Sequence, residues 1–134
     1  MLHHVSIEVH PDDAERVLEF LALIGFERVG APDEIAEYVD WAESTRNCRS
    51  PAETSWATQV HLIRTPEPAL QHLGHPAFVA PDYDGTVSAI GDAGFEFEPS
   101  RELWGEKRGF ATLPGGQKVE LMAAPPPPRT PARR

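Results

Sequence analysis

His4-Val5-Ser6-Ile7-Glu8-Val9-His10 sets apolar Val5, Ile7 and Val9 against polar His4, Ser6, Glu8 and His10. Strict alternation predicts a half-buried strand. Pro11-Asp12-Asp13 follows and opens a helix, since a first-turn proline and nearby acids suit orphan amides and the helix dipole. Val17, Leu18, Phe20, Leu21 and Ile24 recur at helical spacing, and Gly25 stops the helix before Phe26-Glu27-Arg28-Val29.

The same text returns later. His75-Pro76-Ala77-Phe78-Val79-Ala80 reads as a strand, Pro81-Asp82 opens a helix with Val87 and Ile90 on its apolar face, and Gly94-Phe95-Glu96 ends it. His4 lies 21 residues before Gly25, and His75 lies 19 before Gly94. The first half closes on Gln59-Val60-His61-Leu62, within a strand over Ala57 to Arg64. The second closes on Lys118-Val119-Glu120-Leu121, after a strand near Gly109 to Leu113 and the Pro114-Gly115-Gly116 turn. This is an internal repeat of strand, helix and three strands. Between the halves, a short strand is expected near Tyr38 to Ala42, an exposed loop over Ser44 to Ser55, and a connector from Thr65 to Gly74.

Four residues fall at equivalent places: His4 and His75 open the halves, and His61 and Glu120 close them. Each flanks apolar neighbours in its strand. A single such histidine is ordinarily structural. Four groups at matched positions suggest a shared divalent ion, for which three imidazoles and a carboxylate form a suitable donor set. His3 is the rival of His4, since alternation puts it on the other face and a one-residue slip exchanges them. His10 and His72 read as surface residues. Gln59 and Met122, which flank the ligand positions, read as packing or hydrogen-bonding residues.

Composition limits the functions open to this repeat. The 134 residues fit one domain. The single cysteine, Cys48, excludes a disulfide framework. The formal charge is −9, from 12 basic and 21 acidic residues. Three of the arginines sit in the proline-rich end, so residues 1–124 hold 9 basic against 21 acidic and carry −12. That balance argues against a nucleic-acid partner. No apolar run approaches the roughly 20 residues that span a bilayer, and no leader pattern opens the chain. The expectation is a cytoplasmic protein with no membrane or nucleic-acid partner. The domain is expected over 1–124, with modules at about 2–66 and 73–122 and a disordered tail over 125–134.

The quoted segments, with Asp92-Ala93-Gly94-Phe95-Glu96 and Leu113-Pro114-Gly115-Gly116-Gln117-Lys118-Val119-Glu120-Leu121, resemble two-module members of the vicinal oxygen chelate superfamily. That group includes glyoxalase I, fosfomycin- and bleomycin-resistance proteins, methylmalonyl-CoA epimerase and extradiol dioxygenases. The resemblance covers about residues 2–122. It implies an α+β fold of two βαβββ modules forming a cupped mixed sheet, the glyoxalase-like fold. It implies one divalent ion (Zn, Ni, Co, Fe(II) or Mn) held by His4, His61, His75 and Glu120. His61 departs from the family, where Glu or Gln is common. Without it, His4, His75 and Glu120 remain as a two-His, one-carboxylate set.

The resemblance also implies a small substrate that chelates the ion through neighbouring oxygens, with lyase, isomerase or dioxygenase chemistry. Glu120 is the candidate base and His61 a second one. Arg64 and Arg108 are candidate substrate contacts, with Arg101 and Lys107 as further cations. Trp41, Trp56 and Trp104 lie in irregular or polar stretches and are candidates for a pocket or a dimer interface. A homodimer is implied too. The alternative is a metal-free, bleomycin-resistance-like protein that sequesters a small molecule in an aromatic cleft.

Overall fold

A computed structural model describes residues 2–49, 55–128 and 131, with the backbone alone for 47–49, 55 and 56. The first half runs β1 (His4–Val9), a 3-10 turn (Pro11–Asp13), α1 (Ala14–Leu23), β2 (Phe26–Val29), β3 (Val39–Arg49) and β4 (Ser55–Arg64). The second runs β5 (Ala77–Val79), α2 (Tyr83–Asp92), β6 (Glu96–Leu103), β7 (Glu106–Thr112) and β8 (Lys118–Met122). Two four-stranded sheets result, ordered β1-β4-β3-β2 and β5-β8-β7-β6. In each, the first and last strands pair parallel and the others antiparallel. The fold is α+β, with two βαβββ modules of one topology.

The matched helix stops have a shared backbone cause. Gly25 and Gly94 sit at φ 93° and 84°, a left-handed conformation that glycine adopts without the Cβ penalty. At the helix starts, His10 accepts a bond from the Asp12 amide at 3.1 Å, and Asp82 accepts one from the Gly85 amide at 3.3 Å.

Alternation fixes what each strand buries. Ile7 and Val9 of β1, Val60 and Leu62 of β4, and Val119 and Leu121 of β8 face one common core. That core joins the halves: Phe20 of α1 meets Phe95 edge-on at 5.4 Å, and Phe26 meets Phe78 at 5.3 Å. The Arg16 guanidinium stacks 3.8 Å above the Phe95 ring and donates to the Ala93 carbonyl. Gln117 donates to the Glu8 carbonyl at 2.7 Å, tying the β7–β8 turn to β1.

Three local expectations need correction. The segment from Ser44 to Ser55 is largely strand where it is described, not loop: β3 reaches Arg49, and Asn47, Cys48 and Arg49 pair with Ala57, Trp56 and Ser55. A bulge between Glu43 and Asn47 lets that polar hairpin continue the ladder. The strand β6 carries Pro99 and three acids, which hide it from a periodicity reading. It tolerates the proline because it is the edge strand of its sheet. Third, β1 starts at His4, so His3 precedes the strand instead of taking its opposite face. Of the expected tail, Pro125 to Pro128 are described and lie outside any helix or strand.

Candidate functional site

The core-facing residues of β1, β4 and β8 leave the alternate ones on the outward sheet faces. There the candidate residues gather as two pairs, not as one quartet. Among the described residues, no three of His, Cys, Asp or Glu come together as a ligand group. The expected four-residue centre is therefore not assembled within one chain.

The first pair is His4 and His61, whose rings stack at 4.1 Å and 17°. Trp41 lies opposite His61 across the β3–β4 ladder and stacks on its other face at 4.3 Å and 6°. His3 reaches His4, Nδ1 to Nδ1, at 3.1 Å. Gln59 is buried beside them, donating to Glu43 Oε1 at 2.8 Å and meeting His61 Nε2 through its Oε1 at 2.8 Å. Because the Gln59 amide N–H donates to Glu43, its oxygen accepts a hydrogen bond from the His61 Nε2–H, which leaves Nδ1 as the lone-pair nitrogen of the neutral ring. Burial pushes the His61 imidazole below its ordinary range, and the neighbouring His4 and His3 add to that.

The second pair is His75 and Glu120, with Nε2 2.9 Å from Oε1. His75 Nδ1 lies 3.0 Å from the Leu73 carbonyl, which only accepts, so Nδ1 carries the proton. Nε2 then faces a carboxylate oxygen, as a donor if it carries a second proton and as a lone pair if it does not. Two acceptors at that distance attract only with a proton or a cation between them. The donor set thus fits a divalent ion, and the Leu73 carbonyl fixes the tautomer in the manner of an outer ligand shell. Phe110 lies opposite Glu120 on β7 and meets His75 edge-on at 4.9 Å. Arg108 sits two residues earlier on that strand, with Nη1 3.6 Å from Glu120 Oε1.

The pairs are equivalent to the residue. Ser6 pairs with His61, and Ala77 pairs with Glu120. His4 and His75 each stand two residues before Ser6 and Ala77, and an aromatic residue, Trp41 or Phe110, lies across from His61 and Glu120 respectively.

The other candidates separate. Arg64 faces away from His61, toward Asp40 at 2.5 Å and the carbonyls of Ala36 and Glu37 at 3.0 and 2.6 Å. It holds the turn before β3. Trp104 is at the β6–β7 turn with φ 45° and donates to the Ala124 carbonyl at 3.2 Å. Trp56 pairs with Cys48 through its backbone, and its side chain lies outside the described residues. Lys107 is bound to Asp84 at 3.0 Å. Glu43 escaped the sequence reading, because its role depends on a cross-strand register that periodicity does not supply.

A cleft of about 560 Å³ runs along β1 between Ser6, Glu8, Ile63, Leu70, Pro76 and Lys118. None of the four paired residues lines it, though Ser6 neighbours His61 across the ladder and Pro76 follows His75.

Solved structures share this architecture. A glyoxalase family protein from Bacillus anthracis matches with TM-score 0.72 at 18% identity, over 91% of this chain and 93% of that one. The chain has the glyoxalase-like, vicinal oxygen chelate fold. A glyoxalase/dioxygenase from Nostoc punctiforme matches at TM-score 0.63 and 19% identity, over 93% and 91% of the two chains. The fosfomycin resistance protein FosX from Mesorhizobium loti matches at 0.60 and 16%, over 93% and 92%. No family model and no curated protein matches the sequence. Among the described residues no helix is long and apolar enough to cross a membrane.

Proposed function

We propose that this glyoxalase-like chain is a divalent-metal-dependent enzyme acting on a small molecule that presents two neighbouring oxygens. We further propose a homodimer in which each centre joins His4 and His61 of one copy to His75 and Glu120 of a second copy. The observation that carries this reading is the pair of half-sites at one register. Each offers two candidate groups, with His3 beside His4 in the first, and among the described residues no set of three forms a metal-holding group.

A divalent ion held by His4, His61, His75 and Glu120 would polarise the substrate oxygens and stabilise negative charge developing on them. The chain supplies the rest. Glu120 is the paired carboxylate, oriented by His75, and would take a proton from the substrate carbon next to the chelating oxygens, the C–H electron pair passing onto those oxygens. Trp41 and Phe110 wall the outward faces and exclude water beside the ligand groups. The Gln59 bridge from Glu43 sets the orientation of His61.

A complementation experiment tests this. Copies carrying His4→Ala and His61→Ala are mixed with copies carrying His75→Ala and Glu120→Ala, and bound metal is counted. One retained ion per mixed dimer is expected, with none in either parent. Parents that keep metal, or a mixed dimer with none, would refute the cross-copy centre. A second reading, metal-free sequestration of a small molecule, is favoured by the cleft beside β1, which none of His4, His61, His75 and Glu120 lines. It requires purified, untagged protein to hold no metal and to melt unchanged when metal is added.

A further inference from the structure

Among the described residues, four cations meet an acid at hydrogen-bond distance. Arg16 has Glu19 at 2.6 Å, Arg28 has Glu15 at 2.9 Å, Arg64 has Asp40 at 2.5 Å and Lys107 has Asp84 at 3.0 Å. Arg108 differs. Its side chain is 14% exposed, and its nearest acid oxygen, Glu120 Oε1, is 3.6 Å away and already faces His75. Its Nε donates to the Arg101 carbonyl at 3.2 Å, which fixes the plane of the group. Phe110 lies 5.6 Å beneath the guanidinium carbon. The Nη groups have no hydrogen-bonded partner among the described residues. They are also not sealed: the sealed, unpartnered side-chain atoms there are Trp41 Nε1 and Gln117 Oε1.

A half-buried guanidinium held by Nε and backed by an aromatic ring presents its Nη edge as a fixed fork. That edge matches a carboxylate, to which two parallel charge-assisted bonds form. Register puts Arg108 and Glu120 on the same outward face, since Arg108 pairs with Met122 and Phe110 with Glu120. An anion on the fork therefore lies within one small molecule's length of the His75–Glu120 pair.

We propose that Arg108 anchors a carboxylate of the substrate, and that the molecule taken by this site is a small carboxylic acid with an oxygen on the adjacent carbon, a 2-hydroxy or 2-oxo acid. The chelating oxygen rests on the metal-centre reading above; the carboxylate anchor does not.

The test compares acids with their neutral amides on the full chain by isothermal titration. Metal-loaded protein is titrated with mandelate and mandelamide, and metal-free protein with benzoate and benzamide. The acid is expected to bind tighter than the amide in both, by roughly tenfold to a hundredfold as a charge-assisted pair implies. Arg108→Gln abolishes that preference, while Arg108→Lys retains part of it and guards against a folding artefact. Equal affinity for acid and amide in the wild type, or a preference that survives in Arg108→Gln, overturns the proposal. Protein that retains no metal overturns the metal reading alone, since benzoate against benzamide still decides the anchor.

Discussion

Gln59 offers the sharpest test of the first half-site. It is 8% exposed and bridges Glu43 and His61 through two 2.8 Å contacts. Gln59→Ala breaks both bonds and leaves a carboxylate and an imidazole without their partner. Two net hydrogen bonds are worth about 1–3 kcal/mol together. The lost methylene adds about 0.8 kcal/mol. The sum, about 2–4 kcal/mol, lowers Tm by roughly 6–20 °C at about 3–5 °C per kcal/mol for a chain of this size. Differential scanning calorimetry reads this directly.

Metal affinity separates two roles for the residue. If Gln59 orients a liganding His61, its loss weakens metal binding by about 10–100-fold, the usual effect of an outer-shell partner. Gln59→Met keeps the stem and removes only the polar head, so it should spare much of the stability and none of the affinity loss. A Gln59→Ala protein that melts as expected yet binds metal within about twofold of wild type would refute the reasoning. His61 would then be a stacked structural residue.

Phe20→Ala should cost about 3–5 kcal/mol and lower a single calorimetric transition, because its ring joins both halves through Phe95; two separated transitions would refute the shared core. Arg64→Met should destabilise by about 1–3 kcal/mol in urea melts while leaving ligand binding intact, since its partners are Asp40 and two carbonyls of the turn. Burial depresses the His61 imidazole, so the unfolded chain takes up its proton more readily than the folded one. Its contribution to metal-free stability is therefore present above the ordinary histidine range and lost as pH falls through it, and His61→Gln should flatten that part of the Tm–pH curve.

Much of the fold was legible because the two modules repeat one pattern. Alternation placed Val119 and Leu121 inward and so put Glu120 on the outer face; the same logic served Val60, His61 and Leu62. The glycine stops at Gly25 and Gly94 marked the helices, since only a left-handed residue ends them there. What escaped depended on long-range pairing. Strand β6 was masked by Pro99, which an edge position excuses. The Glu43–Gln59–His61 chain needs a register shifted by a bulge, and no local pattern reports that.

The separation of the four ligand-type residues has a similar cause. Equivalent positions in a repeat fix each residue within its module but say nothing about how the modules meet. That is set by contacts such as Phe20 with Phe95, Phe26 with Phe78 and Gln117 with Glu8, which hold the halves through one core. The outward faces carry His4 and His61 on one sheet and His75 and Glu120 on the other. The half-sites also differ in kind. The first holds two imidazoles, with His61 stacked between Trp41 and His4 and tethered by Gln59. The second is charged, with Glu120 between His75 and Arg108. A centre built from one of each would place its proton acceptor and its anion anchor on the same sheet. Chemistry would then follow the second module, and the first would supply imidazoles and an aromatic wall. Replacing His61 should therefore weaken metal binding more than it alters preference between acid and amide ligands, while replacing Arg108 should do the reverse.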